Sequence, residues 1–176
     1  MRFIALSLVL ILGGCAGHHT GLNSADIRTH DAGQMASMVF VPDQMGYNAP
    51  ITASAERVWA ALPEAFASLG ISAGVIEEGH MFGNRSVRIH RRLGGERLSR
   101  YVNCGRVPEG GPAADVYLVE LDVIARPEAG RTDVTNVLFT VQGQATAPAG
   151  STRTACTSTG VLEDRLARTL QGLLDQ

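Results

Sequence analysis

Two stripes of apolar residues at helical spacing bracket a long run of strand-like sequence, and a chain built this way must lay helices on a sheet. The first stripe is Ala55, Val58, Trp59, Leu62, Phe66 and Leu69, whose steps of three and four put every member on one side of a helix. Ser54 before it is a good N-cap, Glu56 suits the positive helix start, and Gly70 supplies a left-handed stop. Pro63 falls inside, where a proline can kink a helix, though the stripe continues past it. The second stripe is Leu162, Leu166, Leu170, Leu173 and Leu174. It predicts a helix from about Gly160 to Leu174, capped by Ser158 or Thr159, with Glu163 and Asp164 in the first turn. Each stripe needs an apolar surface to cover it, and a sheet face is what the intervening residues can provide.

Met38-Val39-Phe40-Val41 reads as a short strand ended by Pro42-Asp43, and an extended stretch from Tyr47 to Thr52 leads into the first helix. Further strands are expected over Ile71 to Ile76, Ser86 to Arg92, Asp115 to Ala125 and Thr132 to Thr146. In the second of these, Val87 and Ile89 point inward and Arg88 and His90 outward. Gly94-Gly95 marks a turn, Leu98 to Val102 a helical turn or short extended segment, and Pro108 to Pro112 a loop. Pro127-Glu128-Ala129-Gly130 reads as a hairpin connection, so the strands on either side of it are antiparallel. The expected fold is a single α+β domain over 35–176, an antiparallel sheet with two main helices on one face.

The first fifteen residues follow the plan of a secretory leader. Arg2 is basic, Phe3 to Leu12 is apolar apart from Ser7, and the run is too short for a permanent bilayer span of about 20 residues. The junction Leu12-Gly13-Gly14-Cys15 resembles the lipobox of bacterial lipoproteins, which implies cleavage after residue 14 and acylation of Cys15 by palmitate-type chains. Two or more acyl chains anchor stably where one is marginal. Residue Ala16, rather than Asp, resembles lipoproteins forwarded to the outer membrane, where the chain would face the periplasm. Residues 15–34 are small, polar and aperiodic, as expected of a flexible lipidated tether reaching roughly 25 Å. His18, His19 and His30 lie in it and are read as tether residues rather than metal ligands.

Removing fourteen of the 176 residues leaves 162, enough for one domain with a real core. A formal charge of −2 argues against general nucleic-acid or anionic-membrane binding, both of which need a cationic surface. With Cys15 lipidated, Cys104 and Cys156 remain, and an oxidising compartment makes a disulfide their natural pairing. It would contribute about 2 to 4 kcal/mol. A reactive thiol or a metal pair is the competing reading, though no C-x-x-C and no nearby histidine completes a zinc set.

The order of elements resembles the helix-grip class. It is similar to the domains of the C-type lipoprotein of the outer-membrane β-barrel assembly machinery, although that protein carries two such domains and this chain has room for one. The segments Leu98-Ser99-Arg100-Tyr101-Val102-Asn103-Cys104-Gly105 and Cys156-Thr157-Ser158-Thr159-Gly160-Val161-Leu162-Glu163 resemble those of uncharacterised bacterial lipoproteins. The resemblance implies a family, not a function.

No G-x-S-x-G elbow, H-E-x-x-H, P-loop or Rossmann glycine signature occurs, so neither a catalytic set nor a metal or cofactor is expected. His80 and His90, with Glu77 and Glu78, read as surface residues. Glu120 and Asp122 share one face of a strand. Arg85, Arg88, Arg91, Arg92, Arg97, Arg100 and Arg106 face only Glu96 in the same interval. They are read either as a surface for an anionic partner or as strand arginines meeting Glu120 and Asp122 across the sheet. The expected function is therefore a non-enzymatic, membrane-anchored module that binds an envelope protein or assists assembly. The alternative is a lipid or small-molecule carrier with its ligand between the last helix and the sheet, as helix-grip folds permit.

Overall fold

The computed structural model describes residues 27–28, 37–41, 44–131, 133–148 and 153–176. Residues 1–14, read above as a signal peptide, lie outside the described residues, as do Cys15, His18, His19 and His30. The elements are β1 (Ile27–Arg28), β2 (Ser37–Val41), β3 (Gln44–Ile51), α1 (Ala55–Ser68), β4 (Val75–Glu77), β5 (Met81–His90), β6 (Arg92–Leu93), β7 (Glu96–Arg97), β8 (Val102–Asn103), β9 (Leu118–Arg131), β10 (Val134–Thr146), β11 (Arg153–Ser158) and α2 (Val161–Leu174). Single 3-10 turns occupy Leu98–Arg100 and Ala113–Asp115. This is the expected α+β domain with an antiparallel sheet and two helices, but the sheet also takes in Ile27–Arg28, which pair with β2 from within the span 15–34 read as tether.

The main sheet runs β1-β2-β3-β10-β9-β5-β4, and β11 joins β10 and β8 off that path. The registers Tyr47↔Phe139↔Ala125↔Phe82 and Ala49↔Val137 align the buried side chains of four strands on one face. Val119, Leu121 and Val123 continue that face. Both helices cover it and touch each other, α1 with Val58, Leu62 and Phe66, α2 with Leu162, Leu166 and Leu170. The helical stripes thus fit the sheet as their spacing requires. Edge-to-face contacts of Phe82 with Phe66 and Trp59 close one end of the core.

α1 starts where expected, with Ser54 Oγ accepting from the Arg57 N–H at 3.4 Å, and continues through Pro63. Other expectations need correction. Residues 71–74 form no strand: Ile71 is buried beneath the end of α1, and pairing begins only at Val75. The next strand starts at Met81, not Ser86, and ends at His90. Asp115 belongs to a 3-10 turn whose carboxylate accepts from Ser99 N–H and Oγ–H, and β9 starts at Leu118. Pro127 to Gly130 is not the hairpin connection, since β9 continues to Arg131. Pairing with β5 ends at Phe82↔Ala125, so Pro127 lies where β9 has become an edge strand and its missing N–H is tolerated. The cap of α2 is Gly160 at φ 81, with Ser158 Oγ accepting from the Gly160 N–H at 2.9 Å.

Close approach of strands fixes one glycine sterically. A Cβ on Gly83 would lie 2.1 Å from the Val123 carbonyl oxygen and 2.9 Å from Ile124 Cα. Both are backbone atoms and cannot swing aside. Gly83→Ala is therefore expected to destabilise the domain by about 2 to 3 kcal/mol through overpacking, read as a lowered urea midpoint at unchanged slope.

Candidate functional site

The face of the sheet away from the helices carries polar side chains in register. Arg88, Glu120 and Gln144 are neighbours across β5, β9 and β10, and Asp122, Gln142 and Thr157 across β9, β10 and β11. Arg88 Nε meets Glu120 Oε1 at 3.5 Å, both side chains about half exposed or more, so the pair contributes at most about 1 kcal/mol. This is the cross-sheet meeting of arginine and carboxylate expected from the sequence.

Asp122 lacks such a partner on β5. The register slips between Asn84↔Val123 and Val87↔Leu121, leaving Arg85 and Ser86 as a bulge opposite it, and a bulge re-aims side chains. Burial raises the Asp122 carboxyl above its ordinary value; a hydrogen bond from Gln142 at 3.4 Å and the Arg85 charge pull it down, while Glu120 pushes it up.

A groove of about 500 Å³ opens here, lined by Arg85, Glu120, Asp122, Gln142, Gln144 and Thr157 among others. Its position follows from a fork in the sheet. One edge of β10 pairs with β3 up to Thr140↔Gly46 and with β11 from Gln142↔Thr157 onward. Val141 marks the divergence. β11 itself was not foreseen from sequence, because Arg153-Thr-Ala-Cys-Thr-Ser lacks the apolar alternation that marks a strand.

Behind the fork, Glu163 on α2 is completely buried, and neither carboxylate oxygen has a hydrogen-bond partner. Burial pushes its carboxyl up to about 7; attraction from Ser158 and from its own backbone N–H opposes this without cancelling it. Its neighbour Asp164 accepts from the Tyr47 hydroxyl at 3.1 Å and pairs with Arg168. Burial and then Asp164 raise the Tyr47 hydroxyl well above the ordinary phenol value. First-turn carboxylates usually gain from the helix dipole by about 0.3 to 1 kcal/mol, and here desolvation exceeds that gain.

The arginines grouped together by sequence divide in space. Arg85 and Arg88 belong to the sheet face. Arg91, Arg92, Arg97 and Arg100 surround the β6–β7 hairpin, whose tip is Gly94-Gly95 at φ 54 and 84. Arg92 and Arg97 are directly opposite each other. Arg92 Nη1 donates to the Gly95 carbonyl at 2.7 Å, and Arg100 pairs with Glu96 at 3.2 Å. Arg165 of α2, not singled out from sequence, donates to the Gly94 carbonyl at 3.3 Å and to the Tyr101 hydroxyl. Arg106 is exposed in a separate loop, bridged to Pro112.

Cys104 and Cys156 form a disulfide, which fastens the segment after β8 to β11. Thr159 adds to that junction, its N–H donating to the Tyr101 carbonyl at 2.9 Å and its hydroxyl to the Arg100 carbonyl at 2.7 Å. Among the described residues, His, Cys, Asp and Glu form no group able to hold a metal ion, and His80 and His90 are exposed. No helix of the described residues is long and apolar enough to cross a membrane. Comparison with known proteins finds no matching family model, no matching curated protein and no matching solved structure.

Proposed function

We propose that the chain is a non-enzymatic module of the bacterial envelope, lipid-anchored through Cys15, that binds an envelope protein with the helix-free face of its sheet. The observation that carries the reading is the groove at the sheet fork, where Asp122 sits partly buried opposite a bulge with Arg85 beside it. Donors and acceptors fixed on strands offer geometric selectivity to a partner at little ordering cost. The lipobox supplies the anchor in this reading and Ala16 the outer-membrane destination. The buried disulfide is in keeping with an oxidising compartment.

A carrier holding its ligand between α2 and the sheet is less well supported, because that space is filled by Leu162, Leu166 and Leu170 against Phe139, Val141 and Leu121. A photo-crosslinking amino acid at Gln142, compared with one at the exposed Glu64 of α1, tests the docking face in cells. The expected result is a discrete protein adduct from position 142 alone, lost when Asp122→Arg is added. Adducts of equal yield from both positions, or none from 142, overturn the assignment.

A further inference from the structure

From the arginine hairpin we infer a second site, for phosphate oxyanions, whose ligand is the phosphate headgroups of an anionic membrane surface. Two features at the hairpin are unfavourable within the chain itself. Arg92 and Arg97 are like charges directly across a two-stranded ladder, an arrangement that repels. Arg91, at φ 69, is the sole non-glycine residue in the left-handed region among the described residues, a conformation that costs a side-chain-bearing residue. Arg100 and Arg165 reach the same hairpin, Arg100 pairing with Glu96 and Arg165 donating to the Gly94 carbonyl, so five arginines gather here against the carboxylates of Glu96 and of Asp115, which is held by Ser99.

An oxyanion would screen the repulsion between Arg92 and Arg97, and the planar guanidinium fork matches phosphate with paired hydrogen bonds. The charge of the remaining chain supports a surface rather than a diffuse attraction. Without Arg2 of the leader, fourteen basic and seventeen acidic residues become nine and sixteen once these five arginines and Glu96 are set aside, so an anionic surface repels the rest of the molecule and orients the hairpin toward itself. The choice of membrane phosphate over free phosphate rests on the reading of Cys15 as an anchor, which holds the domain within tether reach of headgroups.

Hydrogen exchange of the native chain separates the two readings. The chain is mixed with vesicles of phosphatidylcholine alone, with vesicles of two parts phosphatidylcholine to one part phosphatidylglycerol, and with inorganic phosphate in neutral detergent. Co-flotation with the neutral vesicles reads the anchor. Slowed exchange of the amides from Arg92 to Arg97 on the anionic vesicles reads the site, by about threefold, the protection that two-thirds occupancy confers. The slowing should vanish in high salt and in Arg92→Glu/Arg97→Glu, with exchange in β9 and α2 unchanged as evidence of folding. Equal exchange on both vesicle types overturns the site whether or not the chain floats. Slowing by inorganic phosphate but not by anionic vesicles overturns the membrane as its ligand.

Discussion

Glu163→Gln is expected to be more stable than the parent by about 3 kcal/mol at pH 8 and nearly equal to it at pH 4. The folded-state carboxyl titrates at about 7 against an ordinary 4.5, so the folded protein holds a proton that the unfolded chain releases between those values. Stability contributed by that proton is fully present below about 4.5 and lost as pH rises toward and through 7. A rise of this size corresponds to about 3 kcal/mol. The Gln side chain keeps the shape and removes the charge, and so should flatten the pH dependence. Urea midpoints at pH 4, 6 and 8 measure it, and parallel curves for the two proteins would contradict the assignment. Tyr47 feels the charge of Glu163, and its raised value keeps it neutral throughout this range.

The second large effect is that of the bridge. Replacing Cys104 and Cys156 by Ala opens a closure spanning 52 residues, for which chain entropy gives a loss of about 4 kcal/mol. A domain of this size has typically 5 to 15 kcal/mol in all, so the variant should unfold at markedly lower urea and retain little margin at 37 °C. The loss has a local consequence as well. The bridge, with the Thr159 hydrogen bonds, holds the chain after the arginine hairpin to the start of α2, and hairpin amides should exchange faster than those of β9 in the variant. A loss under about 1 kcal/mol would mean that β11 and β8 are held by their ladders alone.

Much of the architecture could be read from the sequence because its signals were local. Ser54, the α1 stripe and Gly70 specify a helix within seventeen residues, and the alternation of Val137, Phe139 and Val141 specifies β10. What escaped depends on distant partners. β11 is a short polar segment that becomes a strand by pairing with β10 and through Cys156. Pro127 looks like a turn residue until the end of β5 is known to leave β9 an open edge. Glu163 resembles an ordinary first-turn carboxylate, and only the packing of α2 against β3 and β10 reveals that it faces inward beside Leu162 and Leu166.

The candidate site was legible in its parts and not in its grouping. Glu120 and Asp122 share a face by strand alternation alone, and Arg88 meets Glu120 as cross-strand pairing requires. The bulge at Arg85 and Ser86 carries no sequence signature, so the different setting of Asp122 is visible only in the register. Adjacency in sequence likewise merged two sets of arginines. The β6–β7 turn carries one set away from the sheet face and brings Arg165 to it from more than sixty residues along the chain.

The anchor at Cys15 is the premise on which the envelope setting and the membrane-facing hairpin rest, and the intact mass of the chain recovered from a bacterial membrane fraction tests it directly. The expected species begins at Cys15, lacks residues 1–14, and carries the added mass of a diacylglyceryl group with or without an amide-linked acyl chain, all on the N-terminal peptide. A chain recovered with an unmodified Cys15, or beginning at any other residue, would contradict the account.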